Sequence, residues 1–170
     1  MAVDPKHANL PYRPGVGIML INSGGLVWIG RRHPRWFATA DPIWQMPQGG
    51  VAAGEAPLPA ALRELEEETA VRSVEVLAEA PEDFTYDLPE ELLGVALKGR
   101  YRGQRQRWFA MRFTGEDAEI DIRAHGGHKA EFDAWRWAPM REVTALAIPF
   151  KRQIYADLAQ TFAAYLSPRD

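Results

Sequence analysis

Between Gly49 and Val71 the chain reads GGVAAGEAPLPAALRELEEETAV, and no other stretch narrows the possible folds as far. Pro57 and Pro59 stand where a helix can begin, because the first N–H groups of a helix have no intrahelical partner to lose. Leu58, Leu62 and Leu65 recur at helical spacing and predict a stripe facing a core. Four glutamates then crowd into positions 64–68. At about 3.6 residues per turn, Glu67 lies about 60° to one side of Glu64 and Glu68 about 40° to the other, so three carboxylates share a face. Glu66, about 200° from Glu64, points elsewhere. Like charges one turn apart oppose helix formation by roughly 0.2–0.5 kcal/mol per pair, and no Lys or Arg lies one turn after Glu64 or Glu67. The spacing predicts a countercharge from outside the helix. A hard divalent cation such as Mg²⁺ is the natural candidate, since it takes oxygen ligands and bridges carboxylates to phosphates, and the alternative is a solvated acidic face.

Around this helix, short apolar runs alternate with turns. Residues 14–32 read as a β-hairpin whose strands join at Asn22, Ser23, Gly24 and Gly25, residue types suited to a tight turn. Residues 33–47 carry Trp36, Phe37, Pro42 and Trp44 without clean periodicity, which predicts a loop ending in a short edge at 43–46. Gln48, Gly49 and Gly50 predict a turn. Strands are expected at 74–77, 84–88, 108–113 and 134–137, and a second helix at 151–165 with Ile154, Leu158 and Phe162 on one face. Mixed strands and two helices imply an α/β or α+β sandwich. At 170 residues, with no internal repeat or linker, the chain is expected to form a single domain over 1–170, its core at about 12–166 and residues 1–10 flexible.

The absence of cysteine excludes disulfides, cysteine-based zinc sites and thiol catalysis, and suits the cytoplasm. The start, MAVDPKHANLPY, lacks the basic-then-apolar order of a secretory signal. Apolar runs such as residues 18–21 fall far short of the ~20 needed to span a bilayer, so no membrane association is expected. A net charge of −3 and a pI near 5.8 argue against a general nucleic-acid binder, and no duplex DNA is expected as a partner. The charges are nevertheless segregated. KGRYRGQRQR, residues 98–107, holds five basic residues and no acid, while residues 64–68 hold four acids and no base, as a site combining cations with a polyanion requires. On a straight strand Arg105 and Arg107 share one parity and Lys98, Arg100 and Arg102 the other; a turn at Gly103 would gather some of them at one rim.

Gly49, Glu55, Arg63-Glu64-Leu65, Glu67-Glu68 and Val71 fall at the spacing G-x5-E-x7-R-E-U-x-E-E-x-G-U, with U a bulky apolar residue, and so the stretch resembles the Nudix box. Eight of the nine defined positions are met; the exception is Ala70, where the pattern has glycine. That position closes the helix, where positive φ suits glycine best. Further stretches, Tyr12-Arg13-Pro14, Trp44-Gln45-Met46-Pro47-Gln48, Gly103 to Phe109, Glu131 to Trp137 and Phe150-Lys151-Arg152, resemble the branch of that family acting on RNA 5′ ends and dinucleoside polyphosphates.

The resemblance implies a Nudix fold, a mixed β-sheet sandwiched between helices in an α/β/α arrangement. It implies a hydrolase using Mg²⁺, or Mn²⁺ in its place, that splits a phosphoric anhydride by water attack. Glu64, Glu67 and Glu68 become metal ligands, with Glu67 or Glu68 also placed to take a proton from water, and a backbone carbonyl at Gly49 a further ligand. Arg63 is implied to be structural, pairing with Glu55 to orient the helix. Glu131 becomes a further ligand or base. Arg13 and Arg32 would contact the phosphates, Gln48 and Gly50 would bind substrate, Tyr86 would lie near the substrate mouth, Phe150 against a base and Lys151 at a phosphate. The implied partner is 5′-triphosphorylated RNA; the alternatives are a dinucleoside polyphosphate such as diadenosine tetraphosphate, and a non-catalytic nucleotide-binding module. Protein partners are not legible in the sequence.

Overall fold

The computed structural model describes residues 7, 9–34, 41–124 and 126–168. Trp36 and Phe37 of the expected loop, and most of the expected flexible start, lie outside that set. Two long strands organise the fold. β1 (Tyr12–Ile21) and β7 (Gly103–Phe113) run parallel and in register over their whole shared length, from Tyr12 beside Gly103 to Ile21 beside Arg112. The sequence places β7 only at 108–113. Its first half alternates Gln104 and Gln106 with Arg105 and Arg107, too polar to read as strand until β1 and β6 (Phe84–Asp87) pair on either side of it. Gly103 opens that strand rather than a turn.

The expected hairpin forms at its turn and then opens. Asn22 Oδ1 accepts from the N–H groups of Gly24 and Leu26 at 3.0 Å, and Gly25 takes φ +78°. Beyond the Ile21–Val27 pair, β2 (Val27–Arg32) leaves β1 to pair with β3 (Trp44–Gln45) and β8 (Phe132–Ala138). β1 pairs instead with β4 (Gln48–Gly50), which is a short strand and not the predicted turn. β5 (Val74–Glu79) completes the sheet against β7.

Alternation along β1 assigns the two faces. Val16, Ile18 and Leu20 pack with Phe109 and Met111 under α1 (Pro57–Thr69), through Ala60, Ala61 and Leu65. Met19 and Ile21, with Trp108, pack on the other side against α2 (Met140–Leu146) and α3 (Arg152–Thr161), through Met140, Val143, Ile154, Tyr155 and Leu158. Helices thus cover both faces of a mixed sheet. Leu62 departs from the predicted stripe: it is 37% exposed, and the small Ala60 and Ala61 seat the helix against the sheet instead. α2 is not legible in the sequence because its seven residues bury only Met140 and Val143, too few to show a period.

Candidate active site

α1 ends as glycine would end it. Ala70 adopts φ +64°, ψ 6°, and its N–H donates to the Glu66 carbonyl at 2.8 Å. The helix therefore keeps its full length, and its acids keep their common face. Glu64, Glu67 and Glu68 line one cleft of about 320 Å³ together with Glu131, which enters from the start of β8, and with Gly127, His128 and Lys129. Glu66 turns away and pairs with Arg72 at 2.6 Å.

The countercharge comes partly from the helix itself, which corrects the sequence expectation. Arg63 Nε and Nη2 donate to the two oxygens of Glu55, each at 2.9 Å, and Nη2 also donates to the Gly50 carbonyl at 2.9 Å. Its Nη1 reaches Glu64 Oε1 at 3.0 Å and Glu67 at 3.2 Å. Counting bases one turn after each acid overlooks an arginine placed one turn before, whose planar fork spans several acceptors. Its hydrogen bonds hold the Glu55 carboxyl down to about 2.

Burial and mutual repulsion act the other way on the cleft. Desolvation, then the charge of Glu67, raises the Glu64 carboxyl; desolvation, then Glu131 and Glu64, raises Glu68 well above the usual carboxylate range. Gly49 lies so close to the Glu64 carboxylate that any β-carbon there would collide with it. The Gln48 N–H donates to Glu68 Oε2 at 3.3 Å, so β4 fixes both acids from below. All-oxygen donors that repel one another in a half-buried cleft fit a hard divalent cation. Among the described residues no three acid or imidazole groups converge on one point, and Arg63 binds both Glu64 and Glu67.

Next to the acids lies a cavity of about 440 Å³ of opposite character. Arg13, Arg32, Gln48, Tyr86, Phe150 and Lys151 all line it. β1 supplies Arg13, β2 Arg32, β6 Tyr86, and the turn before α3 Phe150 and Lys151. Gly50 is not in the lining; it lets the Arg13 guanidinium rest over the backbone where a β-carbon would collide. The Tyr86 and Phe150 rings stand 5.5 Å apart, and Lys151 Nζ lies 5.3 Å from the Tyr86 centroid. Lys151 is buried, and desolvation followed by the charge of Arg32 lowers it to about 7. Burial pushes Tyr86 up to about 12.

Three buried polar atoms of the lining residues, Arg32 Nε, Gln45 Nε2 and Gln104 Oε1, lack a hydrogen-bond partner among the described residues. Such groups are costly to leave unmatched, and so mark where a polar ligand would be held. Sequence reasoning does not single out Gln45 or Gln104, nor His128 and Lys129. For Gln104 a signal exists in the Gln104-x-Gln106 alternation, which puts both amides on the cavity side of β7. Acid cleft and cationic cavity meet where Arg32 Nη2 contacts Glu131 Oε1 at 3.5 Å.

The NUDIX domain matches over residues 11–158. The chain belongs to the Nudix family. An RNA pyrophosphohydrolase of Mesorhizobium japonicum is 54% identical over 158 residues, 91% of each chain. Another, from a Bradyrhizobium species, is 56% identical over 161 residues, covering 93% of this chain and 96% of its own. Among solved structures, the Ap4A hydrolase of C. elegans in a binary complex superposes with a TM-score of 0.62 at 14% identity, over 89% of this chain and 98% of that one, which speaks for the shared Nudix fold. Membership makes this chain a hydrolase of pyrophosphate bonds, and Nudix hydrolases generally need a divalent cation. Among the described residues no helix is long and apolar enough to cross a membrane.

Proposed function

We propose that this Nudix hydrolase is an RNA 5′-pyrophosphohydrolase that turns a 5′-triphosphate end into a 5′-monophosphate, with Mg²⁺ as cofactor and Mn²⁺ able to replace it. The observation that carries the reading is the junction at Arg32 and Glu131, where four carboxylates on one side face Arg13, Arg32 and Lys151 on the other. A polyphosphate laid across that junction has cationic side chains along its length and acids at its reacting end. The rhizobial relatives carry the name of this activity. The same reading puts the enzyme in the cytoplasm, as one catalytic domain with transcript ends as its partner.

A divalent cation at the acids would neutralise phosphate charge, acidify water and align the attacking and leaving oxygens. Glu64, Glu67, Glu68 and Glu131, with the Gly49 carbonyl, are the oxygens that would hold it. Arg63 positions these acids through Glu55 and the Gly50 carbonyl. Arg13, Arg32 and Lys151 hold the phosphates, with Gln48 and Gly50 beside them, while Phe150 and Tyr86 offer ring faces to a base. The oxygen of water bonds to phosphorus, the anhydride P–O bond breaks, and the proton of water passes to a carboxylate. Glu67, Glu68 and Glu131 are the acids in reach. Glu68 is the one that β4 already orients, through the Gln48 N–H at 3.3 Å.

Purified protein incubated with Mg²⁺ and triphosphorylated RNA is expected to release pyrophosphate and leave a 5′-monophosphate. Diadenosine tetraphosphate at matched salt is the comparison, since it too presents a base and a polyphosphate. A higher kcat/KM on the dinucleotide would transfer the assignment to that substrate, and no turnover on either would make the fold a binding module.

A further inference from the structure

The basic run at residues 98–107 is mostly unused by the site described above. Lys98 lines the cationic cavity, but the arginines after it do not. β1 and β7 lie side by side with their N-terminal ends together, pairing Arg13 with Gln104 and Pro14 with Arg105. Successive residues on a strand face opposite sides of the sheet. Arg13 and Gln104 accordingly line the cationic cavity, whereas Tyr12, Pro14, Arg105 and Arg107 line a second cavity of about 440 Å³ on the face that carries α1. Positive charge therefore continues from Lys98 at one cavity, past the end of the sheet at Arg102, to Arg105 and Arg107 at the other.

The second cavity has the chemistry of a single-strand site. The Tyr12 ring carries the Arg102 guanidinium at 4.8 Å and that of Arg105 at 5.6 Å from its centroid. Pro11, Val51 and Pro57 add apolar wall. Asp87 holds Arg102 at 2.7 Å, and Asp83 and Glu79 hold Arg107 at 2.8 and 3.2 Å. These carboxylates orient the two guanidiniums; the Arg102–Asp87 pair is exposed and weak enough to exchange for phosphate, while Arg107 is half-buried and held in place. Arg105 is exposed and has no carboxylate partner among the described residues. Aromatic faces interleaved with guanidiniums bind single-stranded nucleic acid by stacking and phosphate contact.

We propose that this second cavity holds the RNA strand downstream of the reacting 5′ end, with a base against Tyr12 and phosphates at Arg105 and Arg107; the inference rests on the RNA reading given above. An acidic protein segment fits it less well, because an aromatic–guanidinium stack such as that of Tyr12 with Arg102 and Arg105 prefers a planar base.

The test compares a triphosphorylated dinucleotide with a triphosphorylated single strand of about ten nucleotides, long enough to occupy such a groove. Wild type is expected to show a several-fold lower KM on the longer RNA. Arg105→Glu and Tyr12→Ala should abolish that advantage, leave kcat on the dinucleotide and the Tm unchanged, and flatten the salt dependence of log KM by about 0.7 for each phosphate no longer neutralised. Arg105→Lys should keep most of it. Equal KM for both lengths in wild type, or a length advantage that survives both variants, would overturn the proposal, and the second result is the one expected of a surface for an acidic protein. If wild type hydrolyses neither RNA while turning over diadenosine tetraphosphate, the RNA reading itself falls and takes this inference with it.

Discussion

Glu64, Glu67 and Glu68 come from little more than one turn of α1, whereas Arg13, Arg32, Tyr86, Phe150 and Lys151 reach the neighbouring cavity from four separate segments of the chain. The acid side is set by 3.6-residue periodicity and fixed locally by Arg63. The cationic side exists only once β1, β2, β6 and the turn before α3 have been brought together. Local construction makes the acids a unit whose members cannot move independently. Non-local construction leaves each cation on its own support, so losses there should be graded. Replacing single residues on each side puts that contrast to the test.

The largest loss is expected on the acid side. Glu68→Gln keeps the size of the side chain and its hydrogen bond to the Gln48 N–H, but removes a charge and a proton acceptor. We expect kcat on triphosphorylated RNA to fall by about 10²–10⁴-fold, the range for loss of a general base, with KM changed far less. If Glu67→Gln or Glu131→Gln alone proves deeper, the proton acceptor moves to that residue. If all three retain wild-type kcat, the catalytic assignment of the cleft fails.

Gly49→Ala comes next, and it distinguishes a locked cleft from a loose one. The added methyl would meet the Glu64 carboxylate. Overpacking of this kind costs about 1–3 kcal/mol, so Tm should drop by several degrees and kcat with it as Glu64 is displaced. Unchanged Tm and kcat would show that Glu64 shifts freely, and the idea of acids held as a unit would be lost.

On the cationic side, Lys151→Met separates binding from stability. Native Lys151 gives up its proton near pH 7, well below its ordinary 10.5, so the native state binds fewer protons than the unfolded chain between those values. Stability should therefore rise as pH increases from about 7 toward 10.5, and below pH 7 the charged lysine is carried at full penalty. Arg32 deepens that penalty, while Glu131 and Glu68 lessen it. Methionine should remove this slope and raise Tm below pH 7, while KM for RNA rises by roughly tenfold as a charge-assisted hydrogen bond to phosphate is removed. Thermal melts across pH and steady-state kinetics report the two effects separately. A Tm that falls at every pH would show that Lys151 already has a satisfied partner.

The same contrast governs what can be read from the sequence. Glu64, Glu67 and Glu68 follow from spacing alone, since a helix converts spacing into a face, whereas Arg63, Glu55 and Glu131 come through resemblance. Phe150, Lys151, Arg13 and Arg32 come only through resemblance, because nothing local tells that residues so far apart will share a cavity. Gln104 carries too faint a signal to be chosen, and the first half of β7 reads as a basic turn, because strand character there is conferred by β1 and β6. Helical spacing of leucines places Leu62 in the core, although Ala60 and Ala61 are the residues buried against the sheet and Leu62 is 37% exposed. Splaying of β1 from β2 is likewise invisible, since it depends on β4 and β8 finding those strands.

Ala70 is expected to show the smallest effect, and it sharpens how far local construction extends. Its φ of +64° lies in the left-handed region, where alanine costs up to about 1 kcal/mol more than glycine. The helix end is nevertheless tied down: Ala70 N–H donates to the Glu66 carbonyl, Thr69 Oγ1 to the Leu65 carbonyl at 2.6 Å, and Asp121 N–H to the Thr69 carbonyl at 2.8 Å. These tethers hold alanine where glycine would sit without strain. Ala70→Gly should relieve that strain, offset in part by the greater freedom glycine has in the unfolded chain, for a net gain below about 1 kcal/mol and a Tm rise of less than about 4 °C. Because Glu64, Glu67 and Glu68 already occupy their face, kcat should stay where it is. A clear rise in kcat would mean that alanine distorts the last turn and that the acid cleft is less fixed than its hydrogen bonds imply.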